Sequence, residues 1–150
     1  MLALNTMQQT VAAAIAAHTF FATAPAVSCI VDDGTQHSAI EAQLRGVGFV
    51  VVIPPIFSAD RHSPPDGAGK MILTADVTVR LLSNPVQNAA VGGANRNIYS
   101  AMSAATAALL ALKPGLGDRK FGPAVNFIQL APVDEGLLGY DLTFNKLSTL

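Results

Sequence analysis

The chain has 150 residues, a length typical of one domain that buries a sizeable core without cross-links. Its formal net charge of −1 argues against the basic surface with which proteins bind nucleic acids or anionic membranes. Hydrophobic residues make up 51% of the chain and charged residues only 13%, about half of the usual ~25%. Either small polar residues cover much of the surface or partner proteins bury part of it, and the high apolar content favours partners.

The first predicted element is an amphipathic helix over residues 6–18. Thr6 and Gln9 form a capping-box pair, which predicts that the helix begins after Thr6. No basic residue precedes the apolar stretch, so we interpret the segment as a helix and not as a signal peptide. No apolar run approaches ~20 residues, so the sequence predicts no membrane span. The residues at helical spacing are Met7, Val11, Ala14, Ile15 and His18.

Two strands and a helix are predicted next. Residues 26–31 form a short apolar strand that ends at the turn-forming residues 32–34. Cys29 lies in this strand as a small core residue, and a single cysteine cannot form an intrachain disulfide. Residues 36–45 predict a short helix. Residues 47–53 are apolar almost throughout, which indicates a central strand buried on both faces.

The strongest pattern in the chain lies at residues 70–82. Odd-numbered positions from Met71 to Leu81 are apolar, whereas the even-numbered ones are polar except Ile72 and Leu82. This period of two predicts a long strand with one buried and one polar face. We expect it to pair antiparallel with the strand at residues 47–53.

The C-terminal part predicts one helix and two strands. Asn95 or Asn97 caps a helix that ends at residues 113–115. Strands follow at residues 121–131 and 138–145. The predicted order is therefore α-β-α-β-β-α-β-β, a single α+β domain over residues 1–150 with a mostly antiparallel sheet of four to five strands flanked by helices.

Two long polar loops, at residues 54–69 and 83–96, interrupt this scaffold. Loops longer than ~12–15 residues are usually functional. The first loop holds the only dense polar cluster, at residues 60–62, and a Pro-rich loop cannot hold catalytic geometry closely. We therefore predict protein contacts rather than catalysis. The expected contact residues are Ser58, Asp60, Arg61, His62, Pro64, Pro65, Asn88, Asn95 and Arg96.

The sequence carries no recognisable catalytic or metal-binding motif. It lacks a P-loop, a G-x-S-x-G nucleophile elbow and an HExxH pair. His37 and Glu41 share a helix face but are too few to specify a metal, and His18 is expected to contact the last carbonyls of its helix. The glycines at 115–117 predict a turn. We expect no catalytic residue, no cofactor and no metal, and hence not an enzyme.

The succession of elements resembles a known family. It is similar to the tail terminator, or tail completion, proteins of long-tailed bacteriophages, and especially to neck-region tail proteins of Mu-like contractile-tailed phages. The resemblance extends over nearly the whole chain and rests on pattern. The segments that carry it are TMQQTVAAAIAAH, VVIPP, LTADVTVRLL, NIYSAMSAATAALLALKP and GLLGYDLTFNKL.

The resemblance implies a structural virion protein, assembled in the host cytoplasm, that forms a homo-oligomeric ring, commonly hexameric. Such a ring caps the tail tube, halts its polymerisation and joins it to the head connector or adaptor, with the sheath protein as a further candidate partner. DNA passes through such a ring without sequence recognition, and no membrane is involved. The alternatives are a head-completion or connector-adaptor protein of the neck and, in different classes, a small-molecule-binding module or an enzyme.

Overall fold

The computed structural model of this protein describes residues 2–56, 59–61, 72–112, 124–130 and 136–149. The elements within these ranges have lengths from two to 14 residues. In chain order they are β1 (Leu2–Ala3), α1 (Leu4–Ala16), α2 (Thr19–Ala22), β2 (Cys29–Val31), α3 (His37–Gly46), β3 (Phe49–Ile53), β4 (Ala59–Arg61), β5 (Ile72–Ser83), α4 (Pro85–Ala89), α5 (Ile98–Ala111), β6 (Ala124–Leu130) and β7 (Leu138–Thr149).

The predicted α+β class is confirmed. The elements α1, β2, α3, β3, β5, α5, β6 and β7 follow one another in the predicted order. The additional elements β1, α2, β4 and α4 have five residues or fewer each, which is too short for a periodic sequence pattern to reveal them.

One sheet joins the strands of the described ranges. Its central path is β7-β5-β3-β2, and β1 and β6 both pair with the outer side of β7. Likewise β3 and β4 share one side of β5, because β3 pairs with the end of that strand and β4 with its beginning. The β1–β7 and β2–β3 pairs are parallel and the others antiparallel, so the expected mostly antiparallel sheet is confirmed.

The alternating pattern of β5 creates the main core. Its odd-numbered side chains from Ala75 to Leu81 are completely buried. They face the layer formed by α1 and α5, whose own buried side chains include Met7, Ile15 and Leu109. The predicted buried face of this strand is therefore confirmed at residues 75–81, while the side chains at 71–74 lie outside the described residues.

The apolar strand β3 is buried on both faces because it lies between two helical layers. Phe49 and Val51 belong to the main core, whereas Val50 and Val52 face the other side of the sheet. There they pack with Leu44 of α3 in a second, smaller cluster. The predicted central position of this strand is confirmed, since β3 pairs with β2 on one side and with β5 on the other.

Polar side chains cap the N-termini of three described helices, α2, α4 and α5, although not every predicted cap is correct. Helix α1 begins at Leu4, so Thr6 lies inside the helix and is not its N-cap. His18 follows α1 and caps α2, accepting a hydrogen bond at Nδ1 from the Phe20 N–H at 3.2 Å. Asn97, rather than Asn95, caps α5 and accepts hydrogen bonds from two backbone N–H groups.

The two predicted loops contain regular structure. The first includes β4, which pairs with the part of β5 that extends beyond β3. The second includes α4, for which Asn84 is the N-cap and Pro85 the first residue. Asparagine followed by proline is a common start of a helix. The predicted contact residues Ser58, His62, Pro64 and Pro65 and the glycines at 115–117 lie outside the described residues.

The buried face of β5 generates a stability prediction. Val77→Asp places a carboxylate in the fully buried core and should lower the free energy of unfolding by roughly 3 kcal/mol or more. Thr78→Asp, on the half-buried polar face, should cost less than half as much. Urea and thermal unfolding of both variants measure this difference, and equal losses would mean that the register is shifted by one residue.

Candidate interaction surface

Four exposed apolar side chains lie on segments near the end of the sheet where β5 ends and β7 begins. Val86 of α4 is 81% exposed and Val91 is fully exposed. Both follow the end of β5, where Ser83 pairs with Leu138, the first residue of β7, which is itself 38% exposed. The side chain of Tyr99, 63% exposed, approaches Tyr140 two residues further along β7. We call Val86, Val91, Tyr99 and Leu138 the apolar end surface.

The segment that carries both valines, residues 84–96, is hydrogen-bonded to the chain ahead of β3. Asn84 donates its backbone N–H to the Gly48 carbonyl at 2.9 Å, and its side chain accepts from the Gln87 N–H at 3.2 Å. The Gln87 side chain donates to the Gly46 carbonyl at 2.8 Å. The Ala94 N–H donates to the Val47 carbonyl, also at 2.8 Å. The segment is therefore attached to the scaffold at both of its ends.

Arg96 is the polar centre of this attachment. It is only 9% exposed, and its guanidinium donates hydrogen bonds to four backbone carbonyl groups, those of Phe20, Thr23, Pro25 and Ala94. The guanidinium also lies 5.9 Å from the centroid of the Phe20 ring, within cation–π range. Burial lowers the pKa of Arg96 from its ordinary value. The residue thus ties residues 20–25 to the end of the 84–96 segment.

Asn88 closes the segment on itself. Its side chain donates to the Arg96 carbonyl at 2.7 Å and accepts from the Arg96 N–H at 3.0 Å. The intervening Asn95 adopts a positive φ of 47°, a conformation that asparagine tolerates better than most residues. The sequence predicts Asn88, Asn95 and Arg96 as contacts to partner proteins. The structure shows Asn88 and Arg96 bonded within the subunit, while the Asn95 side chain is exposed.

Two glycines, Gly48 and Gly93, allow their backbone to lie close to that of residues 87–88. A Cβ atom on Gly48, which has a φ of +74°, would lie 2.1 Å from the backbone nitrogen of Asn88. A Cβ atom on Gly93 would lie 2.1 Å from the Gln87 carbonyl oxygen. Together with the hydrogen bonds above, this close packing ties the backbone of the segment that carries Val86 and Val91 to the scaffold.

A cleft of about 280 Å³ lies between α3 and the polar face of the sheet. Arg80 of β5 stands in it and forms a bidentate ion pair with Asp141 of β7, with N–O distances of 2.8 and 2.9 Å. The hydrogen bond to Asp141 raises the pKa of Arg80, and the negative charge of Asp32 adds a smaller effect in the same direction. The cleft is lined by Asp32, His37, Ile40, Glu41, Leu44, Val52, Arg80, Leu82 and Leu137.

The other polar groups that the sequence singles out have local roles. His37 Nε2 lies 3.2 Å from Glu41, which confirms that the two share a helix face. The predicted turn at residues 32–34 is confirmed, because the Asp32 side chain accepts the Gly34 N–H at 2.8 Å. The backbone of Asp60 and Arg61 lies in β4. Among the residues whose positions are described, no group of three or more His, Cys, Asp or Glu residues is placed to hold a metal ion.

Comparison with family models and with curated protein sequences finds no match to this chain. None of the helices in the described part of the chain is long and apolar enough to cross a membrane. The assignment of a function therefore depends on the geometry of the surfaces described above and on the resemblance of the sequence.

The contact between Gly48 and Asn88 generates a prediction. Gly48→Ala should lower the free energy of unfolding by more than Gly34→Ala, for which the positive-φ strain alone is about 1–2 kcal/mol. Both glycines have positive φ, but a Cβ on Gly34 meets no atom within 4 Å. Urea unfolding of the two variants isolates the steric contribution, and equal losses would show that the 84–96 segment moves away without cost.

Cys29 generates a second prediction. Burial raises the pKa of its thiol to about 12, so the reactive thiolate is scarce at neutral pH. Iodoacetamide at pH 8 should alkylate the native protein at least ~10-fold more slowly than the urea-unfolded chain. Mass spectrometry at timed intervals measures both rates. Equal rates would contradict the packing of this half-buried side chain against the core.

Proposed function

We propose that this protein is a structural subunit of a bacteriophage tail, a tail terminator that forms a homo-oligomeric ring. The ring caps the tail tube and presents a second face to the head connector or adaptor. Its partners are further copies of this chain, the tail tube protein and the connector, and it acts by contact rather than by catalysis. It belongs to the virion and assembles in the host cytoplasm.

The observation that carries the proposal is the apolar end surface on its hydrogen-bonded support. Fully burying a valine side chain contributes roughly 1.5–3 kcal/mol, so two exposed valines represent a substantial gain on association. Because Arg96, Gly48 and Gly93 already fix the segment, little conformational entropy is lost when a partner covers it. This combination is typical of a preformed contact surface.

The form of the assembly follows from symmetry. In a cyclic ring each subunit uses two different, complementary patches, and one apolar patch on a chain with only 13% charged residues is compatible with such a contact. Sparse charge also reduces the desolvation that burial of the interface requires. The order of the main elements, which carries the resemblance to the terminator family, agrees with the same assignment.

An assembly experiment tests the contact surface. We expect native mass spectrometry to show a ring for the wild-type protein, alone or with tail tube protein, and a monomer for Val91→Asp. The control is Ala39→Asp, which introduces the same charge at an exposed position of α3 and should leave the ring intact. Both variants should melt within about 2 °C of the wild type, because surface substitutions usually change stability by less than ~0.5 kcal/mol. A monomeric wild type under both conditions, or a ring of Val91→Asp, would contradict the proposal.

A phage experiment separates the terminator from a head-completion or connector-adaptor protein. Without this protein, a terminator leaves tails of abnormal length that fail to join heads. A head-completion protein leaves tails of normal length, and the defect then lies on the head. Electron microscopy of particles from a deletion mutant distinguishes the two outcomes.

A further inference from the structure

The cleft beneath α3 has an apolar floor that no described side chain fills. The smaller hydrophobic cluster forms this floor, with Leu44 and Ile40 from α3 and Val52 from β3. Leu82 and Leu137 continue it along the sheet and are only partly buried. Leu44 and Val52 are already buried, so a group that entered the cleft would cover the aliphatic surface of the partly buried Ile40, Leu82 and Leu137.

The charged groups around this floor are mostly acidic. Arg80 is neutralised by its bidentate partner Asp141, whose side chain is 17% exposed. Asp32 and Glu41 also line the cleft, and the ion-pair partners of Glu41 within the described ranges are the highly exposed Arg45 and His37. Since an exposed ion pair such as Glu41–Arg45 holds its members loosely, carboxylates remain accessible at the rim. Charge complementarity thus favours a cationic occupant.

The size of the cleft restricts that occupant further. Pockets for small molecules and cofactors usually span roughly 300–1,000 Å³ and bury most of the ligand. This cleft, of about 280 Å³, lies at the lower limit of that range. It is large enough for one or two side chains of a peptide.

From these features we infer that the cleft between α3 and the sheet binds a peptide segment that carries a lysine or arginine flanked by aliphatic side chains. The aliphatic groups contact Ile40, Leu82 and Leu137, and the cation lies against Asp32 and Glu41. The segment belongs to a partner protein. The inference does not depend on ring formation, because the cleft and the apolar end surface consist of different residues.

Titration with short peptides tests the inference. The probes are acetyl-Leu-Lys-Leu-amide, the same peptide with norleucine in place of lysine, and acetyl-Leu-Glu-Leu-amide. Amide chemical shifts of the full-length ¹⁵N-labelled protein report binding. We expect saturable shifts at residues 32, 41, 44, 80 and 82, with the lysine peptide bound about two- to five-fold more tightly than the norleucine peptide, the equivalent of one exposed ion pair.

Two isosteric variants provide the matched comparison. Asp32→Asn removes one rim charge but retains the acceptor for the Gly34 N–H, so it should abolish the preference for lysine over norleucine. Asp33→Asn removes the same charge from the neighbouring exposed residue, which does not line the cleft, and should preserve most of the preference. The absence of shifts in the cleft, or equal binding of the lysine and glutamate peptides, would overturn the inference whatever the oligomeric state.

Discussion

The unbroken pairing of β5 with β7 is the constraint on which the rest of the structure depends. Each strand has 12 residues, and every residue of one is paired with a residue of the other. Among the other described strands, β3, β4, β1 and β6 each pair directly with one of these two, and only β2 attaches through β3. The apolar face of β5 fixes the position of the α1–α5 layer. The opposite face supplies Arg80 to the cleft and its ion-pair partner Asp141, so both candidate surfaces depend on this one register.

Most of the scaffold could be predicted from the sequence because its signals are local. The period of two at residues 75–81 and the apolar run of β3 each depend only on neighbouring residues and on which faces become buried. The short strands β1 and β4 have no such signal, since two or three residues form a strand only where a longer strand presents a free edge. Helix α4 does have a local signal, Asn84-Pro85, but the polar composition of residues 83–96 favours a loop.

The candidate sites were less predictable because they join distant parts of the chain. Arg96 has the composition of an exposed loop residue, yet three of its four carbonyl acceptors lie at residues 20–25, more than 70 positions away. The cleft likewise brings together residues that are far apart in the sequence, from α3, β3, β5 and position 137. The alternation in β5 did indicate a polar face, but not that Arg80 and Leu82 of this face would line a cleft with α3. The exposed valines at 86 and 91 likewise indicate a contact surface only once the hydrogen bonds that attach their segment to the scaffold are known.

The parallel pairing of β1 with the end of β7 has a practical consequence for handling this molecule. Leu2 and Ala3 lie beside Ser148 and Thr149, so the first and last described residues emerge at the same corner. That corner is separated from Leu138 by the length of β7, about 36 Å at roughly 3.3 Å per residue. A fluorophore, purification tag or surface tether attached at either terminus would therefore orient the protein with its valine-bearing end outward.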